Sequence, residues 1–414
     1  MTRFLLRRSI TRLLPLLPAF VITACGYTGS DVPREPASGS AGEGAPRAVA
    51  TSDGSTGGPA AVVDSQRVAT QAIDDSARAA AMARRAEFPE IRYSRLHIAD
   101  RSVLDSIRRR YGKKDSTRSA WRALTTLNRK ELGYIRVGDT IVVPDTVVDD
   151  LRAYSVFPQQ YPGAASIPKL VMVTNALQSY ACYEYGQLVR FAAANTGTES
   201  KATFPGRYAF NWKERLRISS LNDNWKLPYT WNFHKYAGNA FHQFDMPGRP
   251  VSHSCVRQFM EDAEWLFAWG EGSKHDESGN AIPFTGTPVV IIDMFDFTRK
   301  KGGPWLELAS NRDGIVSLPA DPMAVEEALI PISQVPAGVR GALPDRNRYK
   351  TAEDTLRARG VIRAEARLAP SIDYNKRRAA KAARRVVRKQ APTAPAEAPA
   401  AAEAPPAGPA TSSE

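Results

Sequence analysis

The segment FHQFDMPGRPVSHSCVR, residues 241–257, brings together side chains that can make and break covalent bonds at neutral pH. Cys255 offers a thiol, and His242 and His253 offer imidazoles able to take its proton or share its charge. Such a thiol can be a nucleophile, a metal ligand, half of a disulfide or a small packed residue. His253 is two residues from Cys255, so on an extended strand both side chains fall on one face. His242 sits at the end of the strand-like NAFHQF, and the proline-rich DMPGRPV can turn the chain back towards the cysteine. Spacing alone leaves open which histidine is the base. Neither CxxC nor HExxH occurs, so metal is poorly served, and no cofactor is expected.

The flanking elements must hold these groups. LVMVTNALQSYACYEYGQLVRFAAANTG predicts two strands about a YEYG turn, with Val171, Val173, Tyr180 and Cys182 in alternation. Cys182 then packs inside a sheet as a small hydrophobe rather than pairing with Cys255. GRYAF, NAFHQF and the apolar TPVVIIDMF add strands. EDAEWLFAWG predicts a helix with Trp265, Leu266 and Trp269 on one side and Gly270 as its stop. A mostly β domain with one or two helices is expected over residues 165–300. Residues 301–370 mix helical patterns with prolines and receive no role.

FHQFDMPGRPVSHSCVR resembles the signature of L,D-transpeptidases, the YkuD-type catalytic domain: a histidine, a loop, then Ser/Thr-His-Gly-Cys and Arg or Asn. TFPGRYAF, KLPYTWNF and GTPVVII are similar to further family segments in the right order, over roughly residues 167–293. The resemblance implies a β-sandwich with Cys255 as nucleophile and His242 as general base, its other ring nitrogen held by the backbone carbonyl of Gln243. It implies that Ser252 and His253 shape the site and that the N–H groups of Ser254 and Cys255 form an oxyanion hole. Arg257 then braces the loop or a substrate carboxylate. The implied reaction attacks the amide after the third residue of a peptidoglycan tetrapeptide stem and releases D-alanine. A diamino-acid side chain, water or a protein lysine then takes the acyl group. Two departures stand out. Ser254 replaces the family's glycine, which costs about 1 kcal/mol if the backbone is left-handed there, and the loop between His242 and Cys255 is short. A non-catalytic, peptidoglycan-binding lipoprotein with a degenerate transpeptidase fold is the alternative.

The rest of the chain bears on location. Arg3, Arg7, Arg8 and Arg12 precede the apolar LLPLLPAFVITAC, which is too short to span a bilayer and reads as an export signal over residues 1–24. Ile22-Thr23-Ala24-Cys25 resembles a bacterial lipobox, implying lipidation of Cys25 and a membrane anchor. Gly26 leans the sorting towards an outer membrane within the cell envelope and periplasm. Residues 25–85 read as a disordered tether. Residues 91–146 give two amphipathic helices and then IRVGDTIVVPD, similar to a small α+β LysM module that grips N-acetylglucosamine chains. The module's opening strand is expected to be missing, replaced by LHIADRSVL. Lysine and arginine number 56 against 43 acids, a formal charge of +13. Much of that excess lies in NKRRAAKAARRVVRKQ, a basic helix expected over residues 371–390. For an exported chain its partners are anionic lipid or wall polymer rather than nucleic acid. Residues 391–414 read as a disordered tail.

Overall fold

A computed structural model describes residues 88–112, 114, 118–219 and 224–372. The signal, the tether, Cys25, the basic helix and the tail all lie outside the described residues, apart from the two positions at 371–372.

Strand β1 (Tyr93–His97), helices α1 (Arg101–Arg110) and α2 (Arg118–Asn128) and strand β2 (Thr140–Pro144) come first. β1 and β2 pair antiparallel from Tyr93–Pro144 to His97–Thr140. The opening strand is therefore present, one step upstream of where the sequence reading sought it. LHIADRSVL divides into the strand's end, a cap and the start of a helix. The Asp100 carboxylate accepts the N–H groups of Ser102 and Val103 at 2.8 and 3.0 Å, so α1 begins where its free donors find a partner. Leu104, Ile107 and Tyr111 then face Leu124, Ile135 and Ile141 across a small core. The buried Asn128 side chain ties α2 to β2, donating to Val142 O and accepting Val142 N–H, both at 2.7 Å.

The larger part follows with β3 (Leu170–Thr174), β4 (Ser179–Glu184), β5 (Gln187–Ala193), β6 (Gly206–Ala209), β7 (Lys213–Ile218), β8 (Lys226–His234), β9 (Asn239–Gln243) and β10 (Val256–Gln258). Helix α3 (Met260–Trp269), strand β11 (Pro288–Ile291) and helix α4 (Arg346–Ala358) complete it. The strands form one sheet ordered β5-β4-β3-β11-β6 and a second ordered β10-β9-β8-β7. Three strands, not two, surround the YEYG turn, because NALQ makes an additional turn between β3 and β4. β7 carried no signal in the sequence: KERLRI is mostly exposed and charged, with only Leu216 and Ile218 in alternation.

The two sheets face each other. Val171, Val173, Tyr180 and Cys182 of the first pack with Trp231, Phe233, Phe241 and Val256 of the second and Leu266 of α3. Phe210 stacks on Trp231 at 4.7 Å and meets Phe241 edge-on at 5.7 Å. The first sheet is buried on its other face too. Leu170, Met172, Ala181 and Tyr183 pack there with Ala123, Leu127 and Val142 of the N-terminal module and with Trp305. Residues 301–370 are part of this body: Leu329, Ile330, Tyr349, Ala352 and Leu356 all enter the inter-sheet core.

Candidate active site

β9 and β10 run parallel, with Phe241 registered to Val256 and His242 to Arg257. Registered neighbours share a face of a sheet. Phe241 and Val256 enter the core, which turns His242 and Arg257 the other way. The same alternation carries Cys255 to the His242 side, level with Ala240, whose backbone N–H opposes the upward shift of the thiol. The parallel register thus sets the thiol and the upstream imidazole on one face of the sheet.

His242 is almost fully buried, and its Nδ1 lies 3.0 Å from the Gln243 carbonyl. A carbonyl only accepts, so Nδ1 carries the proton and Nε2 keeps its lone pair. Burial lowers the ring's pKa to about 4; the Gln243 hydrogen bond opposes that shift and the Arg257 charge adds to it. Burial pushes the Cys255 thiol up, against the Ala240 N–H and the Arg257 and Arg217 charges, which pull it down. The resting pair is therefore a neutral thiol and a neutral imidazole.

The turn holding Cys255 is fixed by several bonds. Ser252 Oγ donates to the Cys255 carbonyl, and its main chain pairs with Thr196 O and Thr198 N, each at 3.0 Å. Ser254 has φ of +77°, the left-handed region where glycine is at ease. Its hydroxyl donates to Asn239 Oδ1 at 3.1 Å, and its carbonyl accepts from Thr203 Oγ1 at 3.2 Å. Gly197 N–H donates to that Thr203 oxygen at 2.9 Å. A Cβ on Gly197 would lie 2.1 Å from Lys201 O, so the turn beneath the site closes only around glycine. Neither Ser254 N–H nor Cys255 N–H donates to an acceptor outside the strand ladders, among the described residues. His253 is exposed, with its ring 6.0 Å from Trp225. Its pKa is lowered by partial burial and by the charges of Lys201 and Arg257.

Arg257 braces the loop between His242 and Cys255. Its guanidinium donates to Asp245 O at 3.1 Å and covers the Phe244 ring at 4.6 Å. The N-terminal module grips the same loop. Glu131 N–H donates to Met246 O at 2.8 Å, Lys130 bridges to Pro247, and Tyr134 Oη donates to Asp245 Oδ2 at 2.9 Å. Asn195, fully buried, joins the parts: it pairs with the Arg257 main chain at 3.0 Å, donates to Arg129 O at 3.1 Å and accepts Gly248 N–H at 2.9 Å. Asn195, Thr203, Asn239, Ala240 and Tyr134 escaped sequence reasoning. Only the asparagine of AANTG, a polar residue closing an apolar strand, carried a local signal. Cys182 is a buried free thiol, its pKa raised well above the ordinary value by burial. Among the described residues no group of His, Cys, Asp and Glu could hold a metal ion.

A cysteine–histidine site thus lies on a two-sheet, mostly β sandwich. Residues 168–291 match the family model of the L,D-transpeptidase catalytic domain, YkuD. Solved structures similar to the chain include an L,D-transpeptidase from Stackebrandtia nassauensis, 23% identical, covering 31% of this chain and 57% of that one, with a TM-score of 0.25. An L,D-transpeptidase from Xylanimonas cellulosilytica is 22% identical over 50% of this chain and 100% of that one, TM-score 0.29. One from Mycobacterium tuberculosis is 18% identical over 38% and 74%, TM-score 0.24. The chain spans a little over half the length of the first of these. Comparison with curated proteins gave no match.

Proposed function

We propose that the chain is an exported, lipid-anchored L,D-transpeptidase that remodels peptidoglycan by cysteine acyl transfer. The observation that carries this reading is the neutral His242, its Nδ1–H spent on Gln243 O, on the same sheet face as Cys255, which follows the left-handed Ser254. His242 Nε2 takes the thiol proton as Cys255 Sγ attacks the amide carbon of a tetrapeptide stem. The developing oxyanion is met by the N–H groups of Ser254 and Cys255, a contribution of about 3 kcal/mol per donor. His242 returns the proton to the departing D-alanine amine, leaving a thioester on Cys255. A diamino-acid side chain, deprotonated by His242, attacks the thioester and yields a cross-link; water as acceptor yields a trimmed stem. The βααβ module, by its likeness to LysM, holds the glycan. Lipidation at Cys25 keeps the enzyme at the envelope, on the outer membrane.

Incubating the protein with disaccharide-tetrapeptide and reading products by mass spectrometry tests the reaction. D-alanine release that vanishes in Cys255→Ala supports the enzyme. No release from the unaltered chain sinks it in favour of a peptidoglycan-binding lipoprotein. A labelled carbapenem should acylate Cys255, and His242→Ala should abolish the adduct while His253→Ala retains it. Blocking lipoprotein processing should lengthen the mature chain, and an unchanged size refutes the anchor.

A further inference from the structure

The turn leading into β2 lifts an apolar residue out among charges. Asp139 N–H donates to Arg136 O at 3.1 Å and Gly138 takes φ of +88°, which closes the turn and leaves Val137 at its tip. Val137 is 49% exposed. Arg136, beside it, is exposed and makes no ion pair among the described residues. The Arg136 N–H and the Lys130 ammonium both reach the Asp139 carboxylate, at 2.9 and 3.0 Å. The turn therefore stands at the rim of a cleft of about 280 Å³ that Lys130 and Asp139 line together with Arg249, Lys300 and Lys301. Asp139 is the one acid of that lining, and Lys130 already neutralises it. Arg249, Lys300 and Lys301 are exposed and make no ion pair among the described residues, whereas the neighbouring Arg299 is paired with Glu307. Positive charge is left unbalanced here, beside an apolar tip.

We propose that this face docks the protein on an anionic phospholipid surface, with Arg136, Arg249, Lys300 and Lys301 over the headgroup phosphates and Val137 at the boundary with the acyl chains. An anionic membrane attracts clustered lysine and arginine through its surface potential, and an apolar side chain among them adds burial at the interface. The combination selects the partner. A phosphodiester polymer or a free phosphate would pair with the cations and gain nothing from Val137. The cations also come from three separate segments, the turn, the loop before Cys255 and the stretch after β11. Such spread suits an array of headgroups better than one small anion, which a single pocket of converging donors would hold. The turn belongs to the module that comes first in chain order, the end nearer Cys25. That last point rests on the anchor proposed above; the charge and the apolar tip do not. Docking also sets the body's orientation at the membrane, which one lipidated residue far along the chain does not.

The test uses the full chain carrying Cys25→Ala, so that no acyl chain contributes. Its probes are vesicles of phosphatidylcholine alone and of phosphatidylcholine with phosphatidylglycerol in equal parts. Sedimentation with each gives a ratio of anionic to neutral binding. Lys300→Gln with Lys301→Gln should lower that ratio about tenfold or more, since each lysine at an anionic surface supplies about a fivefold factor. Val137→Ser should weaken binding to the anionic vesicles about threefold and leave binding to inorganic polyphosphate unchanged. All three side chains are exposed, so the variants keep the fold, read as an unchanged midpoint of urea unfolding. An unchanged ratio in the lysine variant assigns any anionic preference to other parts of the chain and overturns the proposal. Equal binding of Val137→Ser and the Val137 chain to anionic vesicles removes the apolar contact and overturns it too. Retention of polyphosphate without binding to either vesicle assigns the face to a phosphodiester polymer instead, which refutes a lipid partner.

Discussion

Replacing Ser254 measures what the left-handed turn beside the nucleophile costs. An L residue at φ of +77° is strained by roughly 1–2 kcal/mol relative to glycine. Against this, the Ser254 hydroxyl gives Asn239 Oδ1 a hydrogen bond at 3.1 Å, a net contribution of about 1 kcal/mol. Ser254→Ala keeps the strain and loses the bond, so it should destabilise by about 1 kcal/mol. Ser254→Gly loses the bond but relieves the strain, and its more flexible unfolded chain takes back about 0.4–1 kcal/mol. Its stability should lie within about 1 kcal/mol of the unaltered protein. At an ordinary position glycine is less stable than alanine, so the expected order is reversed here. Equilibrium urea unfolding of the three proteins reads the order directly. The rate of carbapenem acylation reads whether the Ser254 N–H keeps its aim. An alanine variant as stable as the glycine variant would falsify the strain assignment. A glycine variant of full stability that lost acylation would show that the serine side chain, not the backbone, sets the site.

Four further outcomes follow from the same geometry. With His242 lowered to about 4 by burial, acylation should hold to pH 5 and fall about tenfold per unit below 4, and an acid limb near 6.5 would contradict a buried neutral ring. The same shift links to stability. Between pH 6.5 and about 4 the unfolded chain binds a proton that folded His242 refuses, so stability falls with pH across that window by roughly 3 kcal/mol, and His242→Gln should flatten the fall. Tyr134→Phe removes the bond to Asp245 at 2.9 Å; it should change stability by under about 1 kcal/mol yet slow acylation a few-fold, and an unchanged rate would separate the module from catalysis. Cys182→Ser buries a hydroxyl in the apolar inter-sheet core and should destabilise by about 1–3 kcal/mol, while mass spectrometry still finds a single carbapenem adduct, on Cys255.

Alternation and motif were legible along the chain. The apolar runs of β3, β4, β9 and β11, the helix α3 with its Gly270 stop, and the order of segments around SHSCVR follow from local periodicity and residue type, which the backbone reads directly. That a serine at 254 sits where a glycine is favoured was also visible, as a mismatch awaiting its φ angle. The strand β7 and the opening strand β1 were not legible, because their residues are mostly exposed and polar or charged, with too short an apolar period to betray them. Residues 301–370 looked featureless for a related reason. Their apolar side chains are scattered among prolines and become a core only against sheets built elsewhere in the chain.

Where His242 stands relative to Cys255 was beyond spacing. The parallel pairing of β9 with β10 puts His242 on the sulfur's face of the sheet, and the Gln243 carbonyl assigns its protonated nitrogen. The bracing of the catalytic loop by Lys130, Glu131 and Tyr134 joins segments more than a hundred residues apart, a contact no local pattern encodes. Sequence determined the chemistry available to this protein, because residue type sets what a side chain can do. Tertiary structure decided which of those side chains meet, because hydrogen-bonded register and core packing, rather than proximity along the chain, set their distances.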